Sequence, residues 1–383
     1  MADFIFKISP NIVLGSYTAN RLGQYALEYG SNFLVIMEPI LKECEVAGKI
    51  TDSLAERKVD YFIFDEIPVV ADTETVQAAL KLAKSAKVHG VIAVGGGKVL
   101  SLAKIVCALY HDSRTIYDCI DGDFVPPKEM LPLICVPTTN RDSFIFTDKA
   151  EAADSRSSKA KLIKTQNGLC RLVLWDPNLQ IALTEKQVAC MSLESLSFAV
   201  EGYLSQKANF FSDMIIEKAV QLLGYAMDGT PGLSVTTPQE VLLTQGGCMA
   251  SLGASCSSFG AANLLSIAIN ARHAIPRSLT SSILLPHIIE DAASFKVERL
   301  AVLARILNAA KEGDSADEAA AALADYVRQK IAKANIPARL KELSLSIDQL
   351  SLAVEDAGDL EFINALPRSM TTDDLFEMIK KAY

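Results

Sequence analysis

The stretch VIAVGGGKVLSLAK, residues 91–104, limits the fold of this chain more than any other. A β-branched apolar run stops at three glycines and a lysine, and a helical pattern begins at once. That order reads as strand, tight turn and helix in a parallel α/β sheet. Glycines let backbone N–H groups approach an anion without hindrance from Cβ, and the helix N-terminus adds a favourable dipole. Gly95, Gly96, Gly97 and Lys98 together suit a diphosphate. A plain strand-to-helix turn without a ligand is the alternative, since neither GxxxxGK[ST] nor GxGxxG is present.

The flanking sequence repeats the unit. NFLVIM (32–37), VDYFIF (59–64), LPLICV (131–136) and RLVLW (171–175) read as further strands, with helical patterns such as TVQAALKLAKSAKV (75–88) between them. Alternation of this kind predicts a mostly parallel sheet covered on both faces. The pattern then changes. Thr184 with Gln187 predicts a capping box, and Thr237, Pro238 and Glu240 predict a second. DEAAAALADYVRQKIAKA (317–334) and TTDDLFEMIKKAY (371–383) are amphipathic. The 383 residues are too many for one core. We expect a Rossmann-like α/β dinucleotide-binding domain over 1–180 and an all-helical domain over 181–383.

Glu38 follows the strand at 32–37. An acidic residue there accepts hydrogen bonds from ribose hydroxyls and repels a 2′-phosphate, which favours NAD and leaves NADP as the alternative. An exposed loop carboxylate is the bland reading of the same residue. The net charge of −9 argues against nucleic acid or an anionic membrane as partner. No secretory signal pattern or membrane-length apolar run is visible. Eight cysteines, none in a CxxC pair, suggest buried thiols in a reducing cytoplasm.

GGGK, VPTT (136–139), WDPNL (175–179), SSILLPHI (281–288) and LPRSMTTDDLFEMI (366–379) follow one another in a familiar order. In this the chain resembles, over essentially its whole length, the iron-containing alcohol dehydrogenase superfamily. That group includes glycerol dehydrogenases and, more distantly, dehydroquinate synthases. The resemblance implies a nucleotide domain, a helical domain, NAD(P) and a divalent metal in the cleft. It places Gly95, Gly96, Gly97 and Lys98 on the pyrophosphate, Thr138 and Thr139 along the cofactor, and Lys161 near its ribose. Glu38 stands where the family often has an aspartate. FIFKISPNIVLG (4–15) resembles an edge hairpin that pairs between subunits, implying a homodimer or larger assembly.

The departures are concentrated at the metal. The family segment GMDALTHAIEAY matches SLESLSFAVEGY (192–203), so the aspartate position is Glu194 and the first histidine position is Phe198. HxxxH…PHG matches Asn263, Ile267, Arg277 and Ser278, and Ser101 replaces a usual aspartate. Phe198 and Ile267 cannot coordinate, and Arg277 is a permanent cation. Glu194 and Asn263 alone make a poor cage, so no divalent metal is expected. The expectation is a metal-independent NAD(P)-linked oxidoreductase acting on a small, acidic alcohol or carbonyl compound. Arg277 would stand in for the metal, with Glu194, Asn263 and His273 completing the candidate set. Tyr203 is a second candidate proton donor, and Arg141 a second anion contact. Alternatives are an inactive NAD-binding homologue with a regulatory or assembly role, a lyase, or a metal dehydrogenase with other ligands; the bland reading of Arg277 is an ion pair with Glu194.

Overall fold

The computed structural model describes residues 9–122, 124–228 and 237–383. The chain divides into two units, Met1–Ala182 and Leu183–Tyr383. Residues 4–8 of the segment resembling an edge hairpin lie outside the described residues.

Among the described residues, the first unit is built on six parallel strands. They are β1 (Asn11–Leu14), β2 (Asn32–Met37), β3 (Asp60–Phe64), β4 (Gly90–Gly95), β5 (Leu133–Pro137) and a last strand, Cys170–Trp175, in the order β1–last–β5–β4–β2–β3. The inner strands are apolar almost throughout because helices cover both faces. All six residues of β4 are buried. The covering helices are α1 (Leu22–Ala26), α2 (Val46–Glu56), α3 (Thr73–Ala86), α4 (Gly97–Leu109) and α5 (Ile116–Asp121). Asp72 caps α3, its carboxylate accepting from the Thr75 amide at 2.8 Å.

A small hairpin interrupts this alternation: β6 (Lys149–Asp154) against β7 (Lys159–Lys164), antiparallel, after which the last strand is β8. Its base is fixed by Lys104 of α4. The buried ammonium donates to the carbonyls of Phe144, Thr147 and Lys149 at 2.6–2.9 Å, and burial lowers its pKa.

Strand order places the ligand crevice. The chain runs outward from β2 to β3, then crosses to the other side of β2 to form β4, so the order reverses between β2 and β4. Crevices at the carboxyl ends of such strands are where open α/β sheets bind ligands. Glu38 ends β2, the glycine turn ends β4, and Thr138 follows β5.

The described residues of the second unit form no strand. Its helices are α6 (Glu185–Leu204), α7 (Phe210–Asp228), α8 (Gln239–Ser255), α9 (Ala261–His273), α10 (Arg277–Ile306), α11 (Ala316–Lys333), α12 (Ile347–Gly358) and α13 (Thr372–Ala382). Thr184 and Gln187 make the expected capping box on α6. The second expected box is not formed. Pro238 itself is the N-cap of α8, without a side-chain hydrogen bond, so neither Thr237 nor Glu240 closes that turn. No described helix is long and apolar enough to cross a membrane. None of the eight cysteines is in a disulfide.

Candidate functional site

The turn between β4 and α4 is tight. Gly95 has φ +157°, and a Cβ there would lie 2.8 Å from Val99 Cγ2. A Cβ on Gly96 would meet Thr139 Cγ2 at 3.3 Å, and one on Gly97 would meet Asp142 Oδ2 at 2.9 Å. Only glycine lets this backbone pass so close to the loop after β5. That loop is fixed by Trp175, whose indole N–H donates to the Thr139 carbonyl at 2.8 Å. The Thr139 hydroxyl donates to the Arg141 carbonyl at 3.0 Å, and the Thr138 amide donates to the Gly95 carbonyl at 3.1 Å. The structure thus brings Gly95, Gly96, Gly97, Lys98, Thr138 and Thr139 to one place.

Glu38 joins them in an unexpected way. Its Oε2 accepts from the Gly96 amide at 3.3 Å, and its Oε1 lies 3.4 Å from Lys98 Nζ. Lys98 also donates to the Pro68 carbonyl at 3.2 Å. Lys161 sits on β7, paired with Ala152 of the hairpin; the Asp121 carboxyl is held low by its bonds to Arg156, with a smaller contribution from the Lys161 charge.

Two residues at the turn escaped the sequence reading. Asp142 places a second carboxylate behind Gly97, its Oδ1 accepting from the Phe144 amide at 2.8 Å. Asn140 is 1 % exposed, and neither atom of its side-chain amide has a partner among the described residues. An orphaned buried donor or acceptor costs about 1–3 kcal/mol, which a bound group carrying its own donor and acceptor would recover. Converging amides, an ammonium and this orphaned amide fit a dinucleotide.

The second unit carries the metal-type positions. Glu194 lies in α6, 1 % exposed. Arg277 opens α10 behind the N-cap Pro276, and its Nε is 3.9 Å from Glu194 Oε1. Phe198, one turn beyond Glu194, is fully buried and meets the ring of Phe259 edge-on at 5.1 Å. Asn263 and Ile267 lie in α9, 1 % and 2 % exposed. Two hydrocarbon side chains and a guanidinium offer a metal no lone pair, so this donor set does not fit a divalent ion. Among the described residues, no three His, Cys, Asp or Glu side chains gather as a metal site.

The candidate proton donors are engaged elsewhere. His273 ends α9 with Nε2 3.2 Å from the Gln349 carbonyl of α12. The Tyr203 hydroxyl donates to Glu217 at 2.7 Å, and burial and that carboxylate raise its pKa well above the usual phenol value.

Glu201, also in α6, was missed. It is 1 % exposed and accepts from the amides of Ala262 at 2.6 Å, Gly260 at 3.2 Å and Asn263 at 3.4 Å, capping α9 from another helix. Burial pushes its carboxyl up to about 7 despite these bonds. A lone carboxylate inside SFAVEGYL was the available signal.

Two family models match the chain. "Iron-containing alcohol dehydrogenase" covers residues 9–177, and "Fe-containing alcohol dehydrogenase family, C-terminal" covers 188–383. Lactaldehyde reductase of Escherichia coli is 22% identical over 355 residues, 91% of each chain. A crystal structure of 1,3-propanediol oxidoreductase superposes with a TM-score of 0.91 at 18% identity, over the whole of both chains. Sulfoacetaldehyde reductase from Bifidobacterium kashiwanohense, solved in complex with NAD+, superposes with a TM-score of 0.84 at 18% identity, over 100% of this chain and 99% of its own.

Proposed function

The chain belongs to the iron-containing alcohol dehydrogenase family of oxidoreductases, and from that premise we propose that it is an NAD-dependent, metal-independent enzyme interconverting a small anionic alcohol and its carbonyl form in the reducing cytoplasm. The observation that carries this reading is Arg277, a guanidinium beside the buried Glu194 at a position where the family has a metal-ligating histidine.

The amides of the Gly95–Gly97 turn and the Lys98 ammonium hold the diphosphate. Thr138 and Thr139 border the nicotinamide half, and Asn140 supplies the donor and acceptor that a carboxamide needs. Bound NAD supplies hydride transfer. Arg277 presents a fork of N–H donors that takes a carboxylate, sulfonate or phosphate bidentately, as an ammonium cannot. Glu194 orients that fork and balances its charge before substrate arrives. The name of sulfoacetaldehyde reductase, a neighbour in fold, is that of an enzyme acting on an anionic aldehyde, which supports this substrate class.

Elemental analysis after purification tests the metal half: no stoichiometric iron or zinc is expected, and either one would overturn it. NADH titration tests the cofactor half. Gly96→Val drives methyls toward Thr139 and into the anion's path. It should weaken NADH binding at least tenfold, about 1.4 kcal/mol, and an unchanged titration would remove the turn from the cofactor site. NADH bound tightly without oxidation across a panel of small carboxylated, sulfonated and phosphorylated aldehydes would overturn the catalytic claim.

We also propose a homodimer. Among the described residues β1 pairs with β8 on one side only and ends the sheet, and an edge of this kind invites pairing with a second copy. Light scattering should give about twice the 41.4 kDa chain mass; a monomer mass at micromolar concentration would refute this.

A further inference from the structure

The glycine turn already holds an anion, and it is the chain's own. Glu38 accepts from the Gly96 amide and lies against Lys98 Nζ. These are two of the groups assigned above to the diphosphate. One amide cannot serve a carboxylate and a phosphate oxygen at full strength together. Asp142 stands behind Gly97, so the turn as it is faces two carboxylates.

The arrangement can open. The side chains of Glu38 and Lys98 are 21% and 30% exposed. The Glu38 backbone is pinned, its amide donating to the Val94 carbonyl at 3.2 Å, so only the side chain needs to swing. Lys98 keeps the Pro68 carbonyl as a partner when Glu38 leaves.

We propose that Glu38 is an internal competitor for the diphosphate site, displaced by the cofactor and handed to its ribose hydroxyls. The inference rests on the dinucleotide reading of the turn. A displaced carboxylate needs hydrogen-bond donors. A ribose diol offers two, whereas a 2′-phosphate offers none and adds like charge. The pair therefore lowers affinity for any diphosphate by the fraction of molecules in which it is closed, and it charges NADP more than NAD for its opening.

The test is calorimetric titration of inorganic pyrophosphate, NADH and NADPH into the full chain at constant ionic strength, with wild type, Glu38→Gln, Glu38→Asp and Gly96→Val. Aspartate keeps the charge but is one methylene too short to hold both the Gly96 amide and Lys98. Glu38→Gln and Glu38→Asp should each tighten pyrophosphate at least threefold. Glu38→Asp should tighten NADH as well, keeping an acceptor for the ribose. Glu38→Gln should narrow the gap between NADH and NADPH at least threefold. If Glu38→Asp matches wild type toward pyrophosphate while Gly96→Val abolishes binding, the turn is a diphosphate site and the competitor proposal falls. If Gly96→Val changes nothing, or wild type binds neither pyrophosphate nor NADH, the dinucleotide reading falls and the proposal with it.

Discussion

Arg277→Ala should lower kcat/KM for an anionic aldehyde by about 10²–10³-fold, the usual consequence of removing a group aimed at the reacting charge, while NADH affinity stays within about threefold. The two effects separate because Arg277 belongs to the unit Leu183–Tyr383 and the glycine turn to the unit Met1–Ala182. Arg277→Lys is the informative companion. It keeps the charge beside Glu194 but loses the planar fork, so KM for the anionic substrate should rise more than kcat falls. Arg277→His should not bring metal into the protein, because Phe198 and Asn263 still supply no imidazole. Substantial turnover by Arg277→Ala would show that the guanidinium only neutralises Glu194.

Glu201 should make the protein less stable as pH rises. Its carboxyl is raised from 4.5 to about 7 in the folded chain. Well below the unfolded value both states carry the proton. Between about 4.5 and about 7 the unfolded chain loses it while the folded chain keeps it, so stability falls across that window and levels off above it. The change attributable to this one residue is about 3 kcal/mol. Glu201→Gln keeps a carbonyl oxygen for the α9 amides without titrating. Urea denaturation at pH 5 and pH 8 should show wild type losing about 2.5 kcal/mol more stability than the variant over the interval, since part of the change is already complete at pH 5. Equal losses would mean that water or a rearranged α9 N-terminus relieves the buried charge.

The parts legible in the sequence are those where burial is complete along a segment. NFLVIM, VIAV and LICV read as strands because helices cover both of their faces, and no register or pairing partner needs to be known. KAEAAD and KAKLIK did not read as strands. Alanine and lysine have little strand propensity, and what makes the hairpin is pairing between the two segments together with Lys104 on the carbonyls at its base. The Thr237 cap failed for a local reason: extended backbone at Pro238, φ −56° and ψ 148°, already sets the start of α8.

At the site, residue types were legible and contacts were not. The missing imidazoles at Phe198, Asn263 and Arg277 could be counted from the sequence. That Glu38 folds back onto Gly96 could not, because the contact joins the ends of two strands 58 positions apart. Asp142 against Gly97 is hidden for the same reason.

The ring pair of Phe198 and Phe259 bears on how readily a metal site could be built into this chain. Phe198, at a position where the resemblance puts a coordinating histidine, packs edge-on against the ring of Phe259. Restoring histidine at 198 would now place polar nitrogens in an apolar wall and break an edge-on contact worth about 0.5–1.5 kcal/mol. That loss falls before any ion could bind, since Asn263 and Arg277 must also change. Each single change toward a metal site is unfavourable until the last is made, so the packing acts as a ratchet.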